Sequence, residues 1–171
     1  MSHIVVHPRI LMVDNDKRAI EALTALLSKA LPNAYVADDV TDGTKALSLC
    51  RAYGNQYDII LLDMSLEGLQ GPDICKRIRL INNSTPILAM TSFSLNRYRN
   101  SAIESGAQGL VDKSSSEQFT QCIPRIVRGQ TMDGFESPAR RPYTALKTGL
   151  RSSRPSPSHR KPSCTCAPKN T

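Results

Sequence analysis

The sequence predicts an α/β protein, a doubly wound five-stranded parallel sheet with five helices covering its faces. Three observations carry this. Short apolar runs alternate five times with segments whose apolar residues recur at three- and four-residue spacing. The central runs are apolar at consecutive positions, as strands buried on both faces must be. Polar or acidic residues close four of the five runs, which places candidate chemistry at the carboxyl edge of the sheet, where open parallel sheets bind ligands.

The first strand is expected over Ile10–Val13 and ends in Asp14-Asn15-Asp16. Asp16 is placed to cap a helix starting at Lys17, whose apolar stripe is Ile20, Leu23, Leu27 and Ala30. A second strand over Ala34–Ala37 precedes a helix marked by Ala46, Leu49 and Tyr53. The third strand, Ile59–Leu62, ends in Asp63 and leads to the Ile74/Ile78/Ile81 stripe. The fourth, Ile87–Met90, ends in Thr91-Ser92 before Leu95, Tyr98 and Ala102. The fifth, Gly109–Val111, ends in Asp112-Lys113 before Phe119, Ile123 and Ile126. Pro124 interrupts this last stripe. Its ring removes a backbone donor and clashes with the preceding turn at about 3 kcal/mol, so the helix is expected to kink or end there.

The alternation fails beyond Gly129. The 171-residue chain carries a net charge of +7. Up to Gly129 there are 14 Lys or Arg against 13 Asp or Glu, and from Gln130 onward 8 against 2. The basic balance therefore belongs to the tail and says little about the folded part. Leu146 and Leu150 are the only large aliphatic residues after Ser137, and six prolines interrupt the segment. Too little apolar surface remains to offset ordering entropy. The expected organisation is a domain over 8–129 and a disordered Pro/Ser/Arg-rich tail over 130–171. Basic residues there could bind nucleic acid by counterion release, without base specificity. Cys164 and Cys166 near His159 have poor zinc spacing and lack a second pair. Apolar runs such as Ile59–Leu62 are of strand length, and the N-terminus lacks a secretory signature. With Cys50, Cys75 and Cys122 in helical stripes as buried thiols, a reducing cytoplasm is the expected setting, with no membrane contact.

A parallel sheet opens all its strand-end loops on one edge, so Asp14, Asn15, Asp63, Thr91 and Lys113 are expected to meet there. Two carboxylates and a carboxamide oxygen suit a hard cation such as Mg2+. A lysine ammonium and a threonine hydroxyl suit a phosphoryl group. An aspartate on a rigid strand end is a suitable nucleophile for forming an acyl phosphate.

The segments ILMVDND, DIILLDMSLEGLQG, ILAMTS and SGAQGLVDKSS resemble the receiver domain of two-component response regulators over residues 9–129. The resemblance implies a flavodoxin-like fold with strand order 2-1-3-4-5. It implies that Asp63 accepts a phosphoryl group from a sensor histidine kinase or a phosphotransfer protein. Asp14, Asn15, Asp63 and the backbone carbonyl of Ser65 would hold Mg2+, Lys113 would contact the phosphoryl oxygens, and Thr91 would move toward them. The Lys-Ser pair and the helix ending IVRGQ look most like the LuxR/NarL-type group, but the helix-turn-helix output of that group is missing. The resemblance thus implies a switchable protein-interaction surface, with a homo- or heterodimer with another response regulator in scope. It does not license DNA binding, and a truncated transcriptional regulator fits the pattern.

Several residues depart from the family. Asn15 stands where a second acid is usual. A unit charge about 4 Å from the ion is worth about 4 kcal/mol at an effective dielectric near 20, before desolvation, so weaker Mg2+ binding is expected. Glu67 replaces a proline, and Leu110 replaces the aromatic that swings with the switch threonine. Pro124 touches the fourth-helix, fifth-strand and fifth-helix face that the family uses for dimerisation. Two other readings compete. One is a pseudo-receiver, the same fold binding a partner without phosphorylation. The other is a haloacid-dehalogenase-type phosphatase built on Asp14-x-Asp16, which leaves Asp63 without a role.

Overall fold

The structure, a computed structural model, describes residues 7–53 and 56–138. Five strands, β1 (Arg9–Val13), β2 (Tyr35–Val40), β3 (Ile59–Asp63), β4 (Ile87–Thr91) and β5 (Gly109–Asp112), alternate with five helices. These are α1 (Lys17–Ala30), α2 (Gly43–Tyr53), α3 (Gly71–Ile81), α4 (Leu95–Ser105) and α5 (Ser116–Val127). The strands form one parallel sheet in the order β2-β1-β3-β4-β5. This is the flavodoxin-like arrangement expected.

Ile10–Val13, Ile59–Leu62 and Ile87–Met90 are 0% exposed, so the consecutive apolar runs did mark strands covered on both faces. On one face Ile10, Met12, Ile59, Leu61, Leu88 and Met90 meet Leu23 and Leu27 of α1 and Phe119 and Ile123 of α5. On the other, Leu11, Val13, Ile60 and Leu62 meet Ala46 and Cys50 of α2, Ile74 and Ile78 of α3 and Ala102 of α4. Cys50, Cys75 and Cys122 are buried free thiols, and burial raises all three, Cys50 to about 11. Among the described residues no helix is long and apolar enough to cross a membrane.

The local signals explain the helix starts. Asp16 caps α1, its Oδ1 accepting from the Arg18 amide at 2.9 Å. Asp42 Oδ1 accepts from the Thr44 amide at 2.8 Å, and Ser115 Oγ from Gln118 at 3.3 Å. The first turn of α3 lies so close to the end of β3 that a Cβ on Gly71 would overlap the carbonyl of Asp63 and lie 2.5 Å from Met64 Cα. Backbone cannot step aside as a flexible side chain can. Gly71→Ala is therefore expected to cost about 3 kcal/mol, seen as a lower denaturation midpoint in urea.

Three expectations need correction. The second strand runs to Val40, not Ala37, and the register slips between Ile10 and Leu11, which face Val36 and Asp38. Asp38 and Asp39 disguised its second half, because β2 lies at the sheet edge where acids are tolerated. Asp38 Oδ2 also accepts from the Tyr57 hydroxyl at 2.5 Å, and burial together with this bond pushes the Tyr57 phenol up. Pro124 does not end α5, which continues to Val127. Only the last turn lies beyond it, and the helix closes at Arg128 with Gly129 at φ +86°.

Finally, the ordered fold continues past Gly129. Phe135 is buried, Met132 packs against both layers, and the Met132 amide donates to Gln108 O at 3.0 Å. A Cβ on Gly109 would sit 2.6 Å from Met132 Sδ, so the segment at Met132 covers the start of β5. The rest of the predicted tail, including His159, Cys164 and Cys166, lies outside the described residues.

Candidate functional site

Val13 pairs with Leu62, which sets the next residues, Asp14 and Asp63, level at the carboxyl edge. Thr91 pairs with Asp112 across β4 and β5, and the Lys113 amide donates to Thr91 O at 2.9 Å. The result is one polar cluster at the carboxyl edge. Lys113 Nζ stands 2.6 Å from Asp14 Oδ2 and 3.1 Å from Asp63 Oδ2. Asp14 and Thr91 are 0% exposed and Asp63 is 2% exposed, so water screens these charges weakly.

The second oxygen of each acid is held by its own loop. Asp14 Oδ1 accepts from the Asp16 amide at 3.0 Å. Asp63 Oδ1 accepts from both the amide and the hydroxyl of Ser65, at 3.0 and 2.8 Å. These bonds answer why acids crowd the turn after β1: Asp14 folds the turn while Asp16 caps the helix. Burial raises Asp14 above the ordinary carboxylate range, opposed first by the Lys113 ammonium and then by the Asp16 amide. Thr91 Oγ1 accepts from the Phe93 amide at 3.1 Å, tying the hydroxyl to the loop that leads into α4.

The structure thus gathers Asp14, Asp63, Thr91 and Lys113 at one edge. Asn15 and Glu67 lie exposed beside it, and Leu110 is buried under α4. Sequence reasoning missed the Ser65 hydroxyl on Asp63, the Phe93 amide on Thr91 and the close seat of Gly71. Only Gly71-Pro72, a glycine before a proline at a helix start, carried a local signal.

Asp14 Oδ2 is buried and receives no well-directed hydrogen bond among the described residues, although the ammonium neutralises it. No group of three His, Cys, Asp or Glu that could hold a metal ion occurs among them. Two carboxylates and a nearby carbonyl, all oxygen, fit a hard ion that retains much of its water, as Mg2+ does.

The fold is a flavodoxin-like doubly wound sheet with an acidic, lysine-bearing carboxyl edge. The sequence matches the family described as response regulator receiver domain over residues 10–123, and the chain belongs to that family. It is 30% identical over 133 residues to response regulator MprA from Mycobacterium sp. (strain KMS), covering 77% of this chain and 56% of that protein. The chain spans about half the length of the curated relatives it matches.

Among solved structures, a LuxR-family two-component response regulator from Aurantimonas sp. SI85-9A1 aligns with a TM-score of 0.68 at 28% identity, over 78% of this chain and 92% of that one. The receiver domain of the histidine kinase CKI1 from Arabidopsis thaliana, complexed with Mg2+ and BeF3-, aligns with a TM-score of 0.62 at 21% identity, over 72% and 91%. The second likeness concerns the fold alone.

Proposed function

We propose that this domain accepts a phosphoryl group on Asp63 from a histidine kinase or phosphotransfer protein in the cytoplasm, and that the modification switches a protein-interaction surface. The observation that carries this is Lys113, whose ammonium lies within 3.1 Å of both buried carboxylates. A carboxylate oxygen of Asp63 attacks phosphorus, the bond to the donor histidine nitrogen breaks, and that nitrogen keeps the electron pair. Lys113 and the Thr91 hydroxyl then face the transferred oxygens, where their donors match the added charge. Asp14, Asp63, the Ser65 carbonyl and Asn15 would hold Mg2+, which offsets phosphoryl charge during transfer.

Partner choice follows from the same scheme: kinase or phosphotransfer protein upstream, and a homo- or heterodimer with another regulator downstream. Control of transcription is proposed only through such partners or further sequence. Residues 8–138 form the receiver unit in this scheme.

The test is incubation with acetyl phosphate and Mg2+. A base-labile phosphoryl label is expected on wild type and none on Asp63→Ala; equal labelling of both would overturn the assignment. Asn15 sets the second expectation. Restoring the charge with Asn15→Asp should tighten Mg2+ about tenfold, a fraction of the unscreened Coulomb energy because the position is exposed. Titration of Mg2+ by amide shifts checks this.

The pseudo-receiver alternative draws on the same exposed Asn15. It prevails if beryllofluoride leaves the amide spectrum unchanged while a partner still binds. The phosphatase alternative is weakened by Asp16, whose carboxylate caps α1.

A further inference from the structure

We propose that residues 131–138 form a strap that holds α4 in the position it has in this structure, so that movement of α4 on loading of Asp63 and release of the strap are coupled. This rests on the phospho-acceptor role of Asp63.

The strap has two anchors and one latch. Met132 wraps the outer edge of β5 at Gly109, with its sulfur 3.9 Å from Cys122 Sγ of α5. Phe135 is buried on the α4 side of the sheet, 6% exposed. Arg99 of α4 is the latch: its guanidinium lies 5.4 Å from the Phe135 ring centroid, and Nη2 donates to Asp133 O at 2.5 Å. Gly134 turns between the anchors at φ +82°, and a Cβ there would lie 3.0 Å from Arg99 Nη2 and 4.0 Å from Ile103 Cδ1. The strap thus lies directly against α4 at Arg99 and Ile103.

The other end of α4 is tied to the site. Thr91 Oγ1 accepts from the Phe93 amide, and α4 begins two residues later at Leu95. If Thr91 shifts toward a phosphoryl oxygen, that loop and α4 shift with it. The Arg99 contacts with Asp133 and Phe135 then no longer align. By reciprocity, whatever loosens the strap favours the loaded site by the same factor.

Phe135→Ala and Arg99→Ala each remove part of the hold without touching the phosphoryl site. Both are expected to bind beryllofluoride with Mg2+ about fivefold more tightly than wild type, read from amide chemical shifts. Addition of beryllofluoride and Mg2+ to the wild-type chain is expected to speed chymotrypsin cleavage after Phe135, read by mass spectrometry. Arg99 is exposed on α4, so its variant keeps the test valid should Phe135→Ala fail to fold. A strap that merely adds stability would lower the melting temperature of both variants and leave the beryllofluoride affinity and the cleavage rate unchanged, which overturns the coupling while Asp63 keeps its role. If wild type shows no beryllofluoride response at all, the phospho-acceptor assignment falls and the coupling falls with it.

Discussion

Arg79→Ala is expected to lower the unfolding free energy by about 3–5 kcal/mol, the largest loss of any single substitution outside the hydrophobic layers. Arg79 is 5% exposed near the end of α3. Its guanidinium donates to Gly106 O at 2.9 Å, Thr85 O at 2.6 Å, Asn82 O at 3.4 Å and Gln108 Oε1 at 2.5 Å. Burial lowers its pKa, the cost of keeping a cation away from water. Gln108 extends the network, receiving the Ile87 amide on Oε1 and donating through Nε2 to Gly106 O and Glu136 O. Arg79 and Gln108 together thus join α3, the entries to β4 and β5, and the segment after α5. Deleting the Arg79 side chain strands buried carbonyls, and lysine cannot replace a planar fork. Urea denaturation is the measurement. A loss below about 1 kcal/mol in Arg79→Ala would show that water takes over these bonds, and full rescue by Arg79→Lys would show that the planar fork is not required.

Asp14→Asn is expected to stabilise the metal-free protein while removing its response to Mg2+. Burial raises the Asp14 pKa above the unfolded value of 3.8 despite the Lys113 ion pair. A carboxyl raised on folding favours the folded state below the unfolded pKa, and that contribution is lost as pH rises through the folded one. At neutral pH the ionised Asp14 is therefore a liability to the metal-free fold, and the variant is expected to melt higher than wild type. The amide variant escapes it, and its advantage shrinks as pH falls through the raised folded value and wild type protonates. Adding Mg2+ should raise the wild-type melting point by mass action and leave the variant unmoved. Phosphodonor labelling of the variant should fall about 100-fold, since the metal supplies several kcal/mol of charge stabilisation. A variant less stable than wild type at pH 7 would mean that the Lys113 pair outweighs burial.

Much of this molecule was legible because two periodicities alternate cleanly. Consecutive apolar residues at 10–13, 59–62 and 87–90 could satisfy only a two-sided sheet, and the polar residue closing each run was drawn to one edge by parallel topology. Legibility failed where a long-range partner overrode a local rule. Asp38 looked like the end of a strand because Tyr57, 19 residues away, was invisible from its neighbours. Pro124 was expected to kink or end the helix, and the end does not occur because the packing of Ile123 and Ile126 against the sheet, which sustains one more turn, is tertiary. Phe135 lay among polar residues with no periodic companions, so nothing marked it as a core residue, and only the missing side chain of Gly109 made room for the Met132 before it. The hydroxyl of Ser65 and the amide of Phe93 acquire their roles through loop geometry, which residue spacing does not encode.

The two outer strands of the sheet are defended by different means. β2, an edge strand, carries the exposed acids Asp38 and Asp39, whereas β5 relies on its own chain at its start, with the Met132 amide bonded to Gln108 O and the thioether lying over Gly109. Charge repels a foreign strand from the first border without any cover, but the second is safe only while the cover stays in place. A fragment cut at Gly129 would therefore retain every strand and helix yet present a bare, addable edge, and its expected failing is fibrillar self-assembly rather than loss of the fold.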